Sequence, residues 1–135
     1  MSRKKLTSLE ICAGAGGQAL GLEAAGFHHS AVVEIDEWAS ETLRRNRGTK
    51  GRHGKWNVLE MDVHELDGTQ WRHKVDLFAG GVPCPPFSVA GKQLGEDDER
   101  DLFPQALRLI YEIDPPAVLL ENVKGLSPVS YTHLT

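Results

Sequence analysis

With 135 residues, 15 Lys plus Arg and 19 Asp plus Glu, the chain has the length of one domain and a formal net charge of -4. Two cysteines are too few for a disulfide scaffold, and no run approaches the ~18 apolar residues of a membrane span. Met1 to Lys5 leads into no signal-peptide core, so a cytoplasmic domain is expected. The mild acidity argues against a chain that coats nucleic acid by charge alone, though not against a local basic contact.

In chain order, Leu9 to Ala13 reads as a short apolar strand running into Gly14-Ala15-Gly16-Gly17. Gln18 to Ala25 is helix-forming, and Gly26 stands where a helix C-cap is wanted. Ser30 to Ile35 is a second strand. Asp36 can N-cap a helix through about Arg47, with Trp38, Thr42 and Leu43 on one side. Arg44 to Lys55 carries six basic residues, three glycines and no acid, and reads as a mobile loop, either solvated or touching nucleic-acid phosphates. A short strand near Asn57 to Leu59 precedes Asp62, and Val75 to Gly80 is another.

Phe103, Ala106, Leu107, Ile110 and Ile113 fall at helical spacing between Pro104 in the first turn and the stop Asp114-Pro115-Pro116. Ala117 to Leu120 is a continuous apolar run, as expected of a parallel strand buried on both faces. This alternation predicts a doubly wound α/β sheet, whose ligands bind beyond the carboxyl ends of the strands.

The residues at those ends carry chemistry. Gly14-Ala15-Gly16-Gly17-Gln18-Ala19 matches G-x-G-x-x-A at a strand-to-helix turn, where glycine lets the backbone approach a ligand and the helix start favours negative charge. Glu34 stands at the end of the second strand, 20 residues beyond Gly14, where an acid grips ribose hydroxyls. Together they predict a nucleoside-containing cofactor, either a dinucleotide or S-adenosylmethionine. Asp62 could accept from an adenine amino group with Val63 packed on the ring; otherwise it is a surface loop acid. Cys84 lies between Pro83 and Pro85 on a stiffened loop at the ligand-binding edge, a poor place for a core thiol. As a nucleophile it needs nearby positive charge or amide donors to lower its pKa. Cys12 reads instead as packing beside the cofactor turn. Glu121 follows four apolar residues, so poor solvation should raise its pKa and suit it to donate to a ring nitrogen.

From Leu9 to about Leu126 the chain resembles the cytosine-C5 DNA methyltransferases, in particular those of bacterial restriction-modification systems. The resemblance rests on Cys12-Ala13-Gly14-Ala15-Gly16-Gly17, Glu34, Asp62, the block Pro83-Cys84-Pro85-Pro86-Phe87-Ser88-Val89-Ala90-Gly91-Lys92-Gln93, and Glu121-Asn122-Val123. It implies a Rossmann-like S-adenosylmethionine-dependent methyltransferase fold, no metal and no membrane. It implies double-stranded DNA with a flipped cytosine as substrate, and a cognate restriction endonuclease as a partner in the same system.

By that resemblance Cys84 adds to C6 of the flipped cytosine, which makes C5 electron-rich enough to take a methyl group, and Glu121 holds the N3 and N4 edge. Cys12, Ala15 and Gly17, within the turn that Gly14 and Gly16 complete, would meet the amino-acid end of S-adenosylmethionine. Glu34 would take the ribose with Ile35 beside the adenine, Asp62 and Val63 would bind the adenine, and Pro83 and Leu102 would approach the transferred methyl. Gly91 to about Asp101 corresponds to a mobile loop that closes over DNA. Its acidic run reads as solvated, except Arg100, which would face DNA or the catalytic pocket; Lys92 and Gln93, and Ser88 before the loop, are the other expected nucleic-acid contacts.

The family pattern continues beyond Glu-Asn-Val with a further catalytic arginine motif, the last strands, a target-recognition region and a final helix, none of which this sequence contains. Residues 1–126 are therefore expected to form a partial catalytic domain truncated after the fifth strand, and 127–135 a tail that is non-native or disordered. Exposed apolar residues on that fifth strand, weak cofactor binding and no methylation by this chain alone are expected. Three rival readings remain: a tRNA cytosine-C5 methyltransferase, a nicotinamide-dependent oxidoreductase, and a cofactor-binding remnant without catalysis.

Overall fold

The structure, a computed structural model, describes residues 4–47, 56–83 and 102–122. Its elements are β1 (Leu6–Ile11), α1 (Gly17–Ala24), β2 (Phe27–Glu34), α2 (Glu37–Arg47), β3 (Val58–Glu60), β4 (Leu77–Gly81), α3 (Phe103–Ile113) and β5 (Ala117–Glu121). Two single 3₁₀ turns, Val63–Glu65 and Gly68–Trp71, join β3 to β4. The five strands form one parallel sheet in the order β3-β2-β1-β4-β5, as the alternation of elements predicts. The order reverses between β1 and β4, and a crevice opens there at the strands' carboxyl ends.

One face of the sheet packs Leu9, Ile11, Ala31, Val33 and Phe78 against Phe103, Ala106, Leu109 and Ile113 of α3. The other packs Val32 with Ala19 and Leu43, and Leu77 and Ala79 with Leu22. Gly16 caps α1 at φ 107°, and a Cβ there would come 2.9 Å from Leu43 Cδ2. The glycine thus serves the close packing of α1 against α2.

β1 and β2 both start three residues before the expected positions, because polar side chains enter the sheet there. The pairing shifts between Ser8 and Leu9, which match His29 and Ala31 and leave Ser30 as a bulge. The extra residue reverses the alternation, so that His29 and Val32 share a face that simple period two would divide. Buried Ser8 donates its Oγ–H to His29 Nδ1 at 2.9 Å, and His29 Nε2–H donates to the Ala19 carbonyl at 2.8 Å. Burial lowers the His29 pKa, so the ring is held neutral. Trp56 stands edge-on to it at 5.0 Å and donates its indole N–H to Glu23.

Three expectations are corrected here. Trp38 is 76% exposed; the face of α2 that packs carries Ser40 and Leu43, so Trp38 and Leu43 do not share a side. α2 runs to Arg47 as expected, so Arg44 and Arg45, which the loop reading also covers, lie in the helix and pair with Glu60 and Glu41. The remaining basic segment, 48–55, lies outside the described residues. β5 is not buried on both faces. It pairs with β4 alone among the described residues, and Val118 and Leu119 are 44% and 46% exposed, in line with the expected exposed fifth strand.

Glu10, between Val32 and Ala79 in the sheet, points into the α1 interface with 1% exposure and one oxygen, Oε1, without a hydrogen-bond partner among the described residues. Burial pushes its carboxyl from 4.5 up to about 7. A folded-state pKa above the unfolded one gives stability that is full below pH 4.5, falls as pH rises and is gone above about 7. Glu10→Gln is therefore expected to match the parent near pH 4 and to exceed it by about 3 kcal/mol at pH 8. Urea unfolding of both chains across this range measures it; a difference that does not grow with pH contradicts the assignment.

Candidate active site

A cavity of about 420 Å³ opens at the carboxyl ends of β1 to β4. Its walls include Cys12 and Gly14 after β1, Glu34 and Ile35 at the end of β2, Met61, Asp62, Val63 and His64 after β3, and Gly81 and Pro83 after β4, with Leu102 opposite. Eight residues expected around the cofactor thus meet in one place: Cys12, Gly14, Glu34, Ile35, Asp62, Val63, Pro83 and Leu102. Ala15, Gly16 and Gly17 do not line it.

The turn after β1 is shaped by backbone in the left-handed region. Cys12 lies at φ 52° and Gly14 at φ 59°. Such a conformation is strained for cysteine and easy for glycine. Cys12 also packs against the main core, so its packing and its place in the cavity wall coincide.

Glu34 is the hub. Its Oε1 accepts the Gly14 N–H at 2.7 Å, and its Oε2 accepts the Asp36 N–H at 2.8 Å. Each carboxylate oxygen keeps a second lone pair that can take a hydroxyl. The same side chain therefore fixes the β1 turn and faces the cavity. Asp36 in turn accepts the Ala39 N–H at 2.8 Å, capping α2 as the sequence predicts.

Asp62 accepts the backbone N–H of His64 at 2.9 Å, and its Oδ1 lies 2.7 Å from His64 Nδ1. These bonds, the backbone one first, hold its carboxyl below the usual range. Beside it Val63 is buried, and exposed Ile35 adds a second apolar surface. A carboxylate with free lone pairs, an acid at the far end and two apolar flanks fit a ribose and a planar base. Val33, Met61, His64 and Gly81 also line the cavity, though nothing in their sequence context marks them. Apolar residues at strand ends give no sign of which side they turn to.

Glu121 ends β5 opposite Gly81, and a Cβ on Gly81 would lie 3.8 Å from Glu121 Oε2. The carboxyl is exposed, so the poor solvation expected after four apolar residues is absent; β5 lies at an edge of the described sheet. Asn122 Nδ2 donates to the Val82 carbonyl at 2.7 Å, and Val82 N–H donates to the Glu121 carbonyl at 3.2 Å. This clip holds the end of β5 and Glu121 beside Gly81 and Val82. Cys84, Ser88, Lys92, Gln93 and Arg100 lie outside the described residues, as does the tail. Among the described residues no group of His, Cys, Asp or Glu could hold a metal ion, and no helix is long and apolar enough to cross a membrane.

Known proteins share this arrangement. Residues 6–133 match the family described as C-5 cytosine-specific DNA methylase. The Type II methyltransferase M.NgoMIV of Neisseria gonorrhoeae is 62% identical over 122 residues, which are 90% of this chain and 37% of that protein. M.NaeI of Lentzea aerocolonigenes is 52% identical over 126 residues, 92% of this chain and 29% of that protein. The chain thus spans about a third of the length of these relatives. Among solved structures, a DNA modification methyltransferase encoded within an Escherichia coli prophage superposes with a TM-score of 0.71 at 28% identity, covering 96% of this chain and 35% of its own. Spodoptera frugiperda DNMT2 also gives 0.71, at 25% identity, over 96% of this chain and 39% of its own. The fold is that of the S-adenosylmethionine-dependent methyltransferases, and the chain belongs to the C-5 cytosine-specific DNA methylase family.

Proposed function

We propose that this chain is the cofactor-binding and nucleophile-bearing part of a cytosine-C5 DNA methyltransferase of a Type II restriction-modification system, acting on DNA beside a cognate endonuclease. The single observation that supports it most is the cavity itself, where Glu34, Ile35, Asp62 and Val63 converge with Pro83 and Leu102. Enzymes of this family draw the methyl group from S-adenosylmethionine. In this chain Glu34 would hold the ribose, Asp62 and Val63 the adenine, and Cys12 with Gly14 the amino-acid end.

Cys84 is proposed as the nucleophile. Its thiolate adds to C6 of a cytosine flipped from the duplex, which makes C5 electron-rich. Glu121 holds the N3 and N4 edge and steadies the added ring. After methylation, loss of the C5 proton returns its electrons to the ring and expels the Cys84 thiolate. Ser88, Lys92, Gln93 and Arg100 are proposed to contact the DNA.

The relatives are about three times longer, so the chemistry is tested in a completed chain: residues 6–122 placed in M.NgoMIV instead of its matching segment. Incubated with DNA carrying 5-fluorocytosine, from which no C5 proton can leave, the chimera is expected to accumulate a covalent complex. Trapping on tRNA but not on DNA would overturn the substrate assignment.

A further inference from the structure

The structure assigns a positioning role to Arg108: from α3, it fixes the backbone of the segment that carries Asp62 and Val63, and so sets the adenine end of the cavity. The inference rests on the cofactor reading above for what the cavity holds. Its geometry stands independently. The guanidinium donates from Nη2 to the Val63 carbonyl at 2.8 Å and from Nη1 to the Leu66 carbonyl at 2.9 Å. Nη1 also reaches Glu112 Oε1 at 2.9 Å, and Nε donates to Gln105. Glu112 Oε1 in turn accepts the Gly68 N–H at 2.8 Å.

The Val63 carbonyl already accepts the Leu66 N–H at 3.1 Å, so Arg108 is its second donor; the Leu66 carbonyl lies in an irregular stretch between strands that no sheet ladder pairs, and an unpaired buried carbonyl is costly. One planar fork reaches two carbonyls and a carboxylate at once, which an ammonium cannot reproduce. The pair is shielded, with side chains only 31% and 21% exposed, and so differs from an ordinary surface ion pair. The effect reaches the site because Val63 lines the cavity through its side chain while its carbonyl is held by Arg108.

α3 touches the opposite wall as well. Its N-cap Leu102 lines the cavity and donates its N–H to the Pro83 carbonyl at 3.3 Å. One helix therefore spaces the wall at Asp62 and Val63 from the wall at Pro83, where the Cys84 segment begins. On a helix surface a single arginine ordinarily reads as solvated, and nothing in its spacing reveals this role.

The test is Arg108→Met in the chain as it stands, with Arg108→Lys beside it. Hydrogen exchange is expected to quicken roughly tenfold at the amides of His64, Glu65, Leu66 and Gly68 and to stay unchanged in β1 and β4. Arg108→Lys should fall between Met and the parent. Adenosine and S-adenosylhomocysteine are both expected to bind roughly tenfold more weakly to the Met variant. Unchanged exchange in residues 64–68, or a uniform rise throughout the sheet, overturns the positioning role. So does unchanged adenosine affinity alongside faster exchange. A parent chain that binds neither probe would count against the cofactor reading, and the exchange pattern would then decide the role of Arg108 alone.

Discussion

Cys84→Ala, placed in the M.NgoMIV chimera, is expected to lower methyl incorporation into DNA by on the order of 10⁴-fold or more, the scale on which removing a covalent nucleophile acts. The size follows from the substrate. C5 of cytosine is a weak nucleophile inside an aromatic ring, and addition at C6 is what turns it into an enamine-like centre. No other group proposed at the site can supply that addition: Glu121 is a carboxyl that holds the base edge, and Cys12 sits in the turn after β1 and packs against the core. Labelled S-adenosylmethionine with mixed-sequence DNA measures it, and cofactor affinity should be unchanged. A variant that retains more than a tenth of the parent's rate would rule out covalent catalysis by Cys84.

The second large effect is expected at Glu34. Glu34→Ala removes two bonds at once, to the Gly14 N–H at 2.7 Å and the Asp36 N–H at 2.8 Å, together with the proposed grip on the ribose. Charge-assisted bonds contribute about 1.5–3 kcal/mol each, so losing two to the ribose hydroxyls should lower cofactor affinity by roughly 10² to 10⁴-fold. Glu34→Gln keeps an oxygen for one amide but turns an N–H toward the other, and its loss should be smaller. Calorimetric titration of both variants separates the contributions. Equal affinities for the parent and Glu34→Ala would show that the turn and the ligand are held by something else.

The legible parts of the fold were those written in local chemistry. Apolar strands joined by helices specify a parallel sheet, and Glu34 ends a strand while Gly14, Asp62 and Pro83 follow strands, so the reversal of strand order gathers them without further instruction. Asp36, Gly26 and Asp114 act at helix ends as their types dictate. What stayed hidden depends on partners distant in sequence. The bulge at Ser30 needs the pairing of β1 with β2, which also buries Ser8 and His29 where a sequence reading sees polar flanks. Trp38 looks like core by type, yet α2 turns its Ser40 and Leu43 side inward. Asn122 reads as half of a family motif, and only the fold shows that its amide clips Val82 beside Glu121. Arg108 is illegible for the same reason, since both carbonyls it binds are more than 40 positions away.

Everything proposed for this chain depends on the strand ends forming a site for S-adenosylmethionine. The most direct test is calorimetric titration of this chain with S-adenosylmethionine and, separately, with NAD. Weak, saturable binding of S-adenosylmethionine that Glu34→Ala abolishes is expected, with no heat from NAD. Binding of NAD as tight as that of S-adenosylmethionine, or binding of S-adenosylmethionine indifferent to Glu34, would contradict such a site.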